Sequence, residues 1–487
     1  MTKELRRLSI VMLFMFLALF GSTSWIQVVQ AEELAENARN TRALYDSYEV
    51  QRGSIIVDGV AIATSVPSDD VYSFQRVYTD AAMWAPVTGY INPVFGADAA
   101  TGIEQAMNPV LSGTASAQFL SRIERILSGQ APRGSNVLLT LDGAAQRAAY
   151  EGLAGLQGAV IAIEPATGRV LAMATSPGFD TNLLASHNTS DALAAYDALD
   201  ADPADPLANR AIAGDLNPPG STFKLVTAAA AFASGAWTPQ STLPNPAVYQ
   251  LPQSSSTVQN AWGGTCGPGA EVTIADALRL SCNIPFAELA VQLGDEAIFD
   301  MAELFGFNLS FESPLVSTPS SYPRALDDAQ TALSGFGQGQ VTATPLQMAM
   351  VSAGIANGGV VMAPRMVDSV IGPDLAVQKT YDNTEFGRAL DPGIAQQLAA
   401  LMVANVSDGA ASGARIEGVD VAGKTGTAEN GDQRPYTLWF TGFAPAVDPQ
   451  VAVAVVVEDG GGQGQSGSGD TIAAPIAKKV MEAVLNR

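Results

Sequence analysis

The apolar positions of this chain form one long run at the start and shorter, interrupted runs afterwards. Residues 8–31 carry no charge, and 8–20 are almost wholly apolar. As a helix that stretch would span roughly 36 Å, enough for a hydrocarbon core of about 30 Å. Lys3, Arg6 and Arg7 precede it, and Glu32 and Glu33 follow it. The positive-inside rule then leaves residues 1–7 in the cytoplasm and sends the rest of the chain outside. The alternative is a cleaved signal peptide, with Val29-Gln30-Ala31 as a small-residue cleavage site. Both readings export everything that follows.

Residues 32–42 read as a short helix rich in Ala and Glu. Residues 51–57 are a β-prone run ending in Asp58-Gly59, a hairpin signal. From there to about residue 139, short apolar pieces are broken by Gly and Pro, which suggests a small mixed pedestal domain over 32–139. A larger unit over 140–487 follows. The change of pattern begins near Val137, with a strand at 137–141, and Asp142 then serves as N-cap for a helix over 143–153. Two apolar runs, 158–163 and 169–174, flank Pro165-Ala166-Thr167-Gly168 as a hairpin. Asn217-Pro218-Pro219-Gly220 makes a turn into an Ala-rich helix, 221–233. A long loop over 239–270 precedes two helices, 273–280 and 285–293, interrupted at Ser281-Cys282-Asn283. A helix at 345–357, three adjacent strands (419–427, 437–444, 451–458) and a closing helix at 470–486 complete the pattern. Strands, a long helical insert, then strands again indicate an α+β fold with an antiparallel sheet.

Charge removes whole classes of function. The 487 residues hold 48 Asp+Glu against 25 Lys+Arg, a formal net charge of −23. Such a surface repels phosphate backbones, so nucleic acid is not the partner. One histidine and two cysteines do not build the usual zinc or iron site, so no metal is expected. His187, being alone, does not suggest a Ser-His-Asp triad. Cys266 and Cys282 would share an exported compartment, where a disulfide is expected; two buried reduced thiols are the alternative.

Three short motifs carry candidate chemistry. Ser221-Thr222-Phe223-Lys224 starts a helix, and residues three apart share a helix face, so the Lys224 amine can reach the Ser221 hydroxyl as its base. Ser281-Cys282-Asn283 offers a hydroxyl and a carboxamide on one turn. Lys424-Thr425-Gly426-Thr427 ends an apolar strand, with a cation and a hydroxyl suited to a carboxylate and a glycine that would admit a substrate backbone. Each motif alone is weak, yet two of the chain's six lysines fall inside them.

In this order the three motifs resemble the S-x-x-K, S-x-N and K-T-G set of penicillin-recognising serine acyltransferases. The resemblance extends to the class B penicillin-binding proteins as a family. Arg52-Gly53-Ser54-Ile55 is similar to their R-G-x-I box, and Gly89-Tyr90 and Gly102-Ile103-Glu104 to their G-Y and G-I-E elements. Leu171-Ala172-Met173 resembles the first transpeptidase hairpin. Gly335-Phe336-Gly337-Gln338-Gly339 and Thr344-Pro345-Leu346-Gln347 resemble two further family segments.

The resemblance implies a penicillin-recognising transpeptidase fold, preceded by the pedestal and one transmembrane helix. It implies a peptidoglycan D,D-transpeptidase of cell-wall synthesis that needs no cofactor. Ser221, Lys224 and Ser281 would be catalytic. Asn283, Lys424, Thr425, Gly426 and Thr427 would hold the D-Ala-D-Ala stem peptide or a β-lactam. The backbone N–H groups of Ser221 and Thr427 would form the oxyanion hole. Partners would be a multi-span SEDS-type membrane glycosyltransferase and other division or elongation proteins, met through the anchor and the pedestal, with 51–57 as the exposed edge. Rival readings are a D,D-carboxypeptidase, a β-lactamase, a β-lactam sensor and an inactive division scaffold. A class A β-lactamase would need a deacylating Glu soon after the second motif, and residues 284–323 hold no matching segment.

Overall fold

All seven residues of the strand Val451–Val457 are buried, and alternate ones enter two different cores. Ala452, Ala454 and Val456 face one side, and Val451, Val453, Val455 and Val457 the other, as the two-residue period of a strand requires. A sheet covered on both faces must be apolar throughout, which is why this segment reads as an unbroken run of Val and Ala. Each fully buried valine is worth roughly 1.5–3 kcal/mol relative to exposure, so a charge at Val453 would disrupt the centre of the fold.

The computed structural model describes residues 2–30, 50–70, 72–92, 95, 100–115, 133–214, 216–431 and 433–486. The helix expected at 32–42 lies outside them. Helix α1, Thr2–Ser24, continues as a wider turn over Trp25–Val29, and Lys3–Gln27 is long and apolar enough to cross a membrane.

Two sheets organise the remainder. The pedestal sheet begins with β1 (Ile55–Val57), β2 (Val60–Pro67) and β3 (Phe74–Tyr78). Asp58 and Gly59, both at positive φ, turn β1 into β2 where the sequence signals a hairpin. Strand β4, Asn136–Leu139, runs parallel to β1. The second sheet starts with β5 (Gly158–Ile163) and β6 (Val170–Ser176). Strands β7 (Val367–Ile371) and β8 (Val377–Thr380) then return to the pedestal, giving the order β8-β7-β4-β1-β2-β3. Residues from both halves of the chain therefore share one sheet. The expected edge at 51–57 is corrected: β1 lies inside, between β4 and β2, and the edges are β3 and β8.

The pedestal is pinned by a buried ionic cluster. Glu104 accepts from Arg52 at 2.8 Å and from Arg76 at 2.6 Å, and all three side chains are inaccessible. Burial alone would raise the Glu104 carboxyl, but the two guanidinium charges and their hydrogen bonds hold it below the ordinary value. The R-G-x-I and G-I-E segments are thus two sides of one ion cluster.

The second sheet is completed by β9 (Ala422–Ala428), β10 (Thr437–Ala444) and β11 (Val451–Val457), in the order β9-β10-β11-β5-β6, all antiparallel. Helices α2 (Gly143–Gly152) and α8 (Ala474–Leu485) cover one face. Asp142 caps α2 by accepting from the Ala145 N–H. The other face meets α6 (Pro345–Ala356), with α3 (Lys224–Ala233), α4 (Ile274–Arg279), α5 (Ile284–Leu293) and α7 (Pro392–Asp408) beyond. The result is a mixed α+β fold with an antiparallel sheet between helical layers, as the sequence pattern predicts, behind an N-terminal pedestal. The edge strand β9 borders the helical layer, where a cleft can form.

Candidate active site

The segment after Asn217 does not enter its helix directly. Gly220–Phe223 forms a turn of 3₁₀ helix before α3 begins at Lys224. The expectation of one continuous helix from 221 is corrected, and the difference matters chemically. In a 3₁₀ turn residues three apart eclipse, which sets Lys224 beneath Ser221. Gly220 has φ +54°, a conformation L side chains avoid, and its N–H donates to the Gly337 carbonyl at 2.9 Å. Trp439 Nε1 donates to the Pro218 carbonyl at 2.9 Å, tying the same turn to β10.

Lys224 has no accessible surface. Its Nζ lies 2.9 Å from Ser221 Oγ, 2.7 Å from the Ser281 carbonyl and 2.8 Å from Asn283 Oδ1. Burial, then the charge of Lys424, push its pKa well below that of an ordinary lysine. Lys424, equally buried, projects from β9 on the α6 side. Its Nζ reaches Ser281 Oγ at 2.6 Å and the Thr425 carbonyl at 3.0 Å, and burial lowers its pKa to about 7. Ser281 sits between α4 and α5 at φ +63°, a strained backbone for a residue with a β-carbon. Ser221, Lys224, Ser281, Asn283 and Lys424 thus form one continuous hydrogen-bonded chain.

Thr427 is half-buried at the end of β9, and its Oγ1 accepts from the Gly469 N–H at 3.4 Å. Thr425 donates its hydroxyl to the Ala410 carbonyl at 2.8 Å. A β-carbon on Gly426 would lie 2.8 Å from the Pro219 carbonyl oxygen and 3.2 Å from Thr222 Cγ2. The glycine therefore admits the Pro219–Thr222 turn against the strand. Cys266 and Cys282 are bonded to each other, which fastens the loop before α4 to the residue between Ser281 and Asn283.

Sequence reading did not single out Asn260. Its Oδ1 accepts from the backbone N–H groups of Asn283 and Ile284. No motif marks it, because the contact is between segments 23 residues apart. The arrangement as a whole suits acyl transfer: a hydroxyl, a base biased towards neutrality, a second hydroxyl to relay the proton, and a second amine near neutrality.

Comparison with known proteins agrees with this chemistry. Residues 158–482 match the penicillin-binding-protein transpeptidase domain, and residues 52–137 the penicillin-binding protein A dimerisation domain. The peptidoglycan D,D-transpeptidase PbpA of Mycolicibacterium smegmatis is 40% identical, over 100% of this chain and 99% of that protein. The PbpA of Mycobacterium tuberculosis is 38% identical over the same shares. A solved structure of M. tuberculosis penicillin-binding protein A as a ceftriaxone acyl-enzyme complex superimposes with a TM-score of 0.87, at 39% identity. The match covers 91% of this chain and 100% of that one.

Proposed function

Since this chain belongs to the penicillin-binding-protein transpeptidases, we propose that Ser221 is the residue acylated in its reaction. The chain is a peptidoglycan D,D-transpeptidase working through a serine acyl-enzyme, and β-lactams acylate it in place of the stem peptide. The observation that carries the assignment is the 2.9 Å contact between Ser221 Oγ and a buried Lys224 whose pKa is depressed. Lys224, neutral, takes the Ser221 proton as Oγ attacks the carbonyl of the penultimate D-Ala. The tetrahedral oxyanion lies against the Ser221 and Thr427 backbone N–H groups. Ser281, between the two amines, hands a proton to the departing nitrogen, and the terminal D-Ala leaves. An amine of a neighbouring stem peptide then attacks the ester, Ser221 recovers its proton, and a cross-link remains.

Lys424 and Thr427 hold the substrate carboxylate, and Thr425 joins them by turning its hydroxyl from the Ala410 carbonyl. Asn283 aligns Lys224 and the substrate amide. In this reading residues 1–7 are cytoplasmic, 8–31 span the membrane, 32–139 form the pedestal, and 140–487 form an extracytoplasmic transpeptidase domain. A SEDS-type glycosyltransferase supplies nascent strands and meets α1 and the pedestal; other division or elongation proteins gather at the same place.

Peptide mapping of the penicillin adduct tests the nucleophile: it should fall on Ser221. Muropeptide analysis after incubation with uncross-linked glycan strands tests the acceptor: dimeric stem peptides are expected. Free D-Ala without dimers would make the enzyme a carboxypeptidase. Replacing residues 2–30 with an unrelated anchor should keep penicillin labelling but fail to rescue a depleted strain. Full rescue would reduce the anchor to a tether.

A further inference from the structure

Helix α5 begins at Asn283, a residue type that usually caps its own helix. Here it does not: Asn283 makes no side-chain cap, and its Oδ1 is turned to Lys224 at 2.8 Å. Two backbone donors at the start of α5, the N–H groups of Asn283 and Ile284, have no acceptor within their own helix, and Pro285 has none to offer. Both orphans are accepted by one atom, Oδ1 of Asn260, at 2.8 and 3.2 Å. Asn260 is 2% exposed and donates its own Nδ2–H to the Gly264 carbonyl at 2.7 Å, which fixes its orientation. Its neighbour Gln259 accepts from Asn283 Nδ2 at 3.1 Å through the backbone carbonyl.

We infer that Asn260 is a positioning residue for acyl transfer: it holds the first two N–H groups of α5 and so fixes the backbone from which the Asn283 carboxamide reaches Lys224. The division of labour follows from supply. The Asn283 oxygen is committed to Lys224, and an N-cap side chain reaches only the second and third N–H groups of its helix. A second carboxamide, brought in from the 239–270 loop, holds the two N–H groups that lie before them. The loop is held in place at its other end by the Cys266–Cys282 bond, so residues 259–266 form a clip around the second motif. Asn260 touches no reacting atom and acts through Asn283 alone. The inference rests on the role given to Asn283 above.

The test is the acylation rate per active site, measured with a fluorescent penicillin on the full-length chain, alongside the titre of reactive sites. Asn260→Ala should lower the rate constant between about tenfold and a hundredfold while the titre stays near one per chain. Asn260→Asp keeps an acceptor for both N–H groups and should recover most of the rate. Asn260→Ser, too short to reach both, should fall between them and serves in place of the alanine variant if that one does not fold. In an Asn283→Ala background, removing Asn260 should cost less than about threefold more. A wild-type rate in Asn260→Ala would overturn the inference, as would losses that simply add in the double variant. If Asn283→Ala alone acylates normally, the reading of Asn283 fails instead.

Discussion

Lys224 and Lys424 are bound to the same residue: the first amine donates to the carbonyl of Ser281 at 2.7 Å, the second to its hydroxyl at 2.6 Å. Two buried amines held this close cannot both carry a full charge at low cost. Burial depresses both pKa values and the charge of Lys424 pushes Lys224 further down, which divides the roles. Lys224, pushed down by burial and by its neighbour, suits the part of base proposed for it; Lys424, near 7, can hold or release a proton at working pH.

Ser221→Ala should abolish covalent penicillin labelling and leave the thermal transition near that of the parent, because Lys224 keeps Ser281 and Asn283 as partners. Gel fluorescence and calorimetry check both halves. Residual labelling at the parent level would move the nucleophile elsewhere.

Acylation by an anionic penicillin should slow above about pH 7. In the free enzyme Lys424 loses its proton there, and with it the attraction for the carboxylate. The second-order rate constant measured from pH 6 to 9 should fall by up to about one decade per pH unit. A penicillin methyl ester, lacking that charge, should show a flatter limb. Identical profiles for acid and ester would contradict the pairing.

Lys424→Met should trade activity for stability. Between pH 10.5 and about 7 the unfolded chain holds a proton on Lys424 that the folded chain lacks, so the parent gains stability as pH rises across that window. The variant escapes this penalty. Its unfolding free energy should exceed the parent's at pH 7, by an amount on the order of a few kcal/mol in chemical denaturation, with the advantage shrinking towards pH 10. Acylation should be lost at every pH.

Much of this site is legible in the sequence because its parts are local. The Ser221–Lys224 spacing, the Asp58-Gly59 turn and the alternation in residues 451–457 are set by neighbours along the chain. What escapes is set by pairings across long loops. Nothing near 367–380 announces that it will join residues 55–78 in one sheet, so residues 51–57 look like an edge when they lie inside. Gly426 reads in the sequence as room for substrate, and its close approach to Pro219 and Thr222, a second demand for a glycine there, comes from a segment far away along the chain. Asn260 is unmarked because its partners lie on another element.

Removing the Cys266–Cys282 bond by a double alanine substitution should cost on the order of 3 kcal/mol for a loop of this size. The acylation rate should fall as well, since Cys282 stands between the two motif side chains. Chemical denaturation and labelling kinetics on the same preparation separate the effects. Unchanged kinetics would confine the bond to stability.

Glu104→Gln should unfold more readily by about 3–5 kcal/mol, because Arg52 and Arg76 would be left buried without a counter-charge. The parent should show a related loss in acid. Glu104 titrates lower in the folded chain than in the unfolded one, so its contribution is complete above the unfolded value near 4.5 and disappears as pH falls through the folded value. Urea midpoints at pH 7 and pH 4 would narrow the gap between parent and variant; a constant gap would count against the cluster.

Strands β7 and β8 belong by sequence to the catalytic half and by hydrogen bonding to the pedestal, where β7 pairs with β4. The pedestal is therefore not a cassette. A graft that exchanged only the residues before 140 would strip β4 from beside β7 and leave a raw hydrogen-bonding edge on the donor's own catalytic half. Recombination between relatives, natural or engineered, has to carry 367–380 along with the N-terminal piece. The same stitching makes the two halves one mechanical unit: a tug on β1 or β4 reaches residues 367–380 through paired backbone.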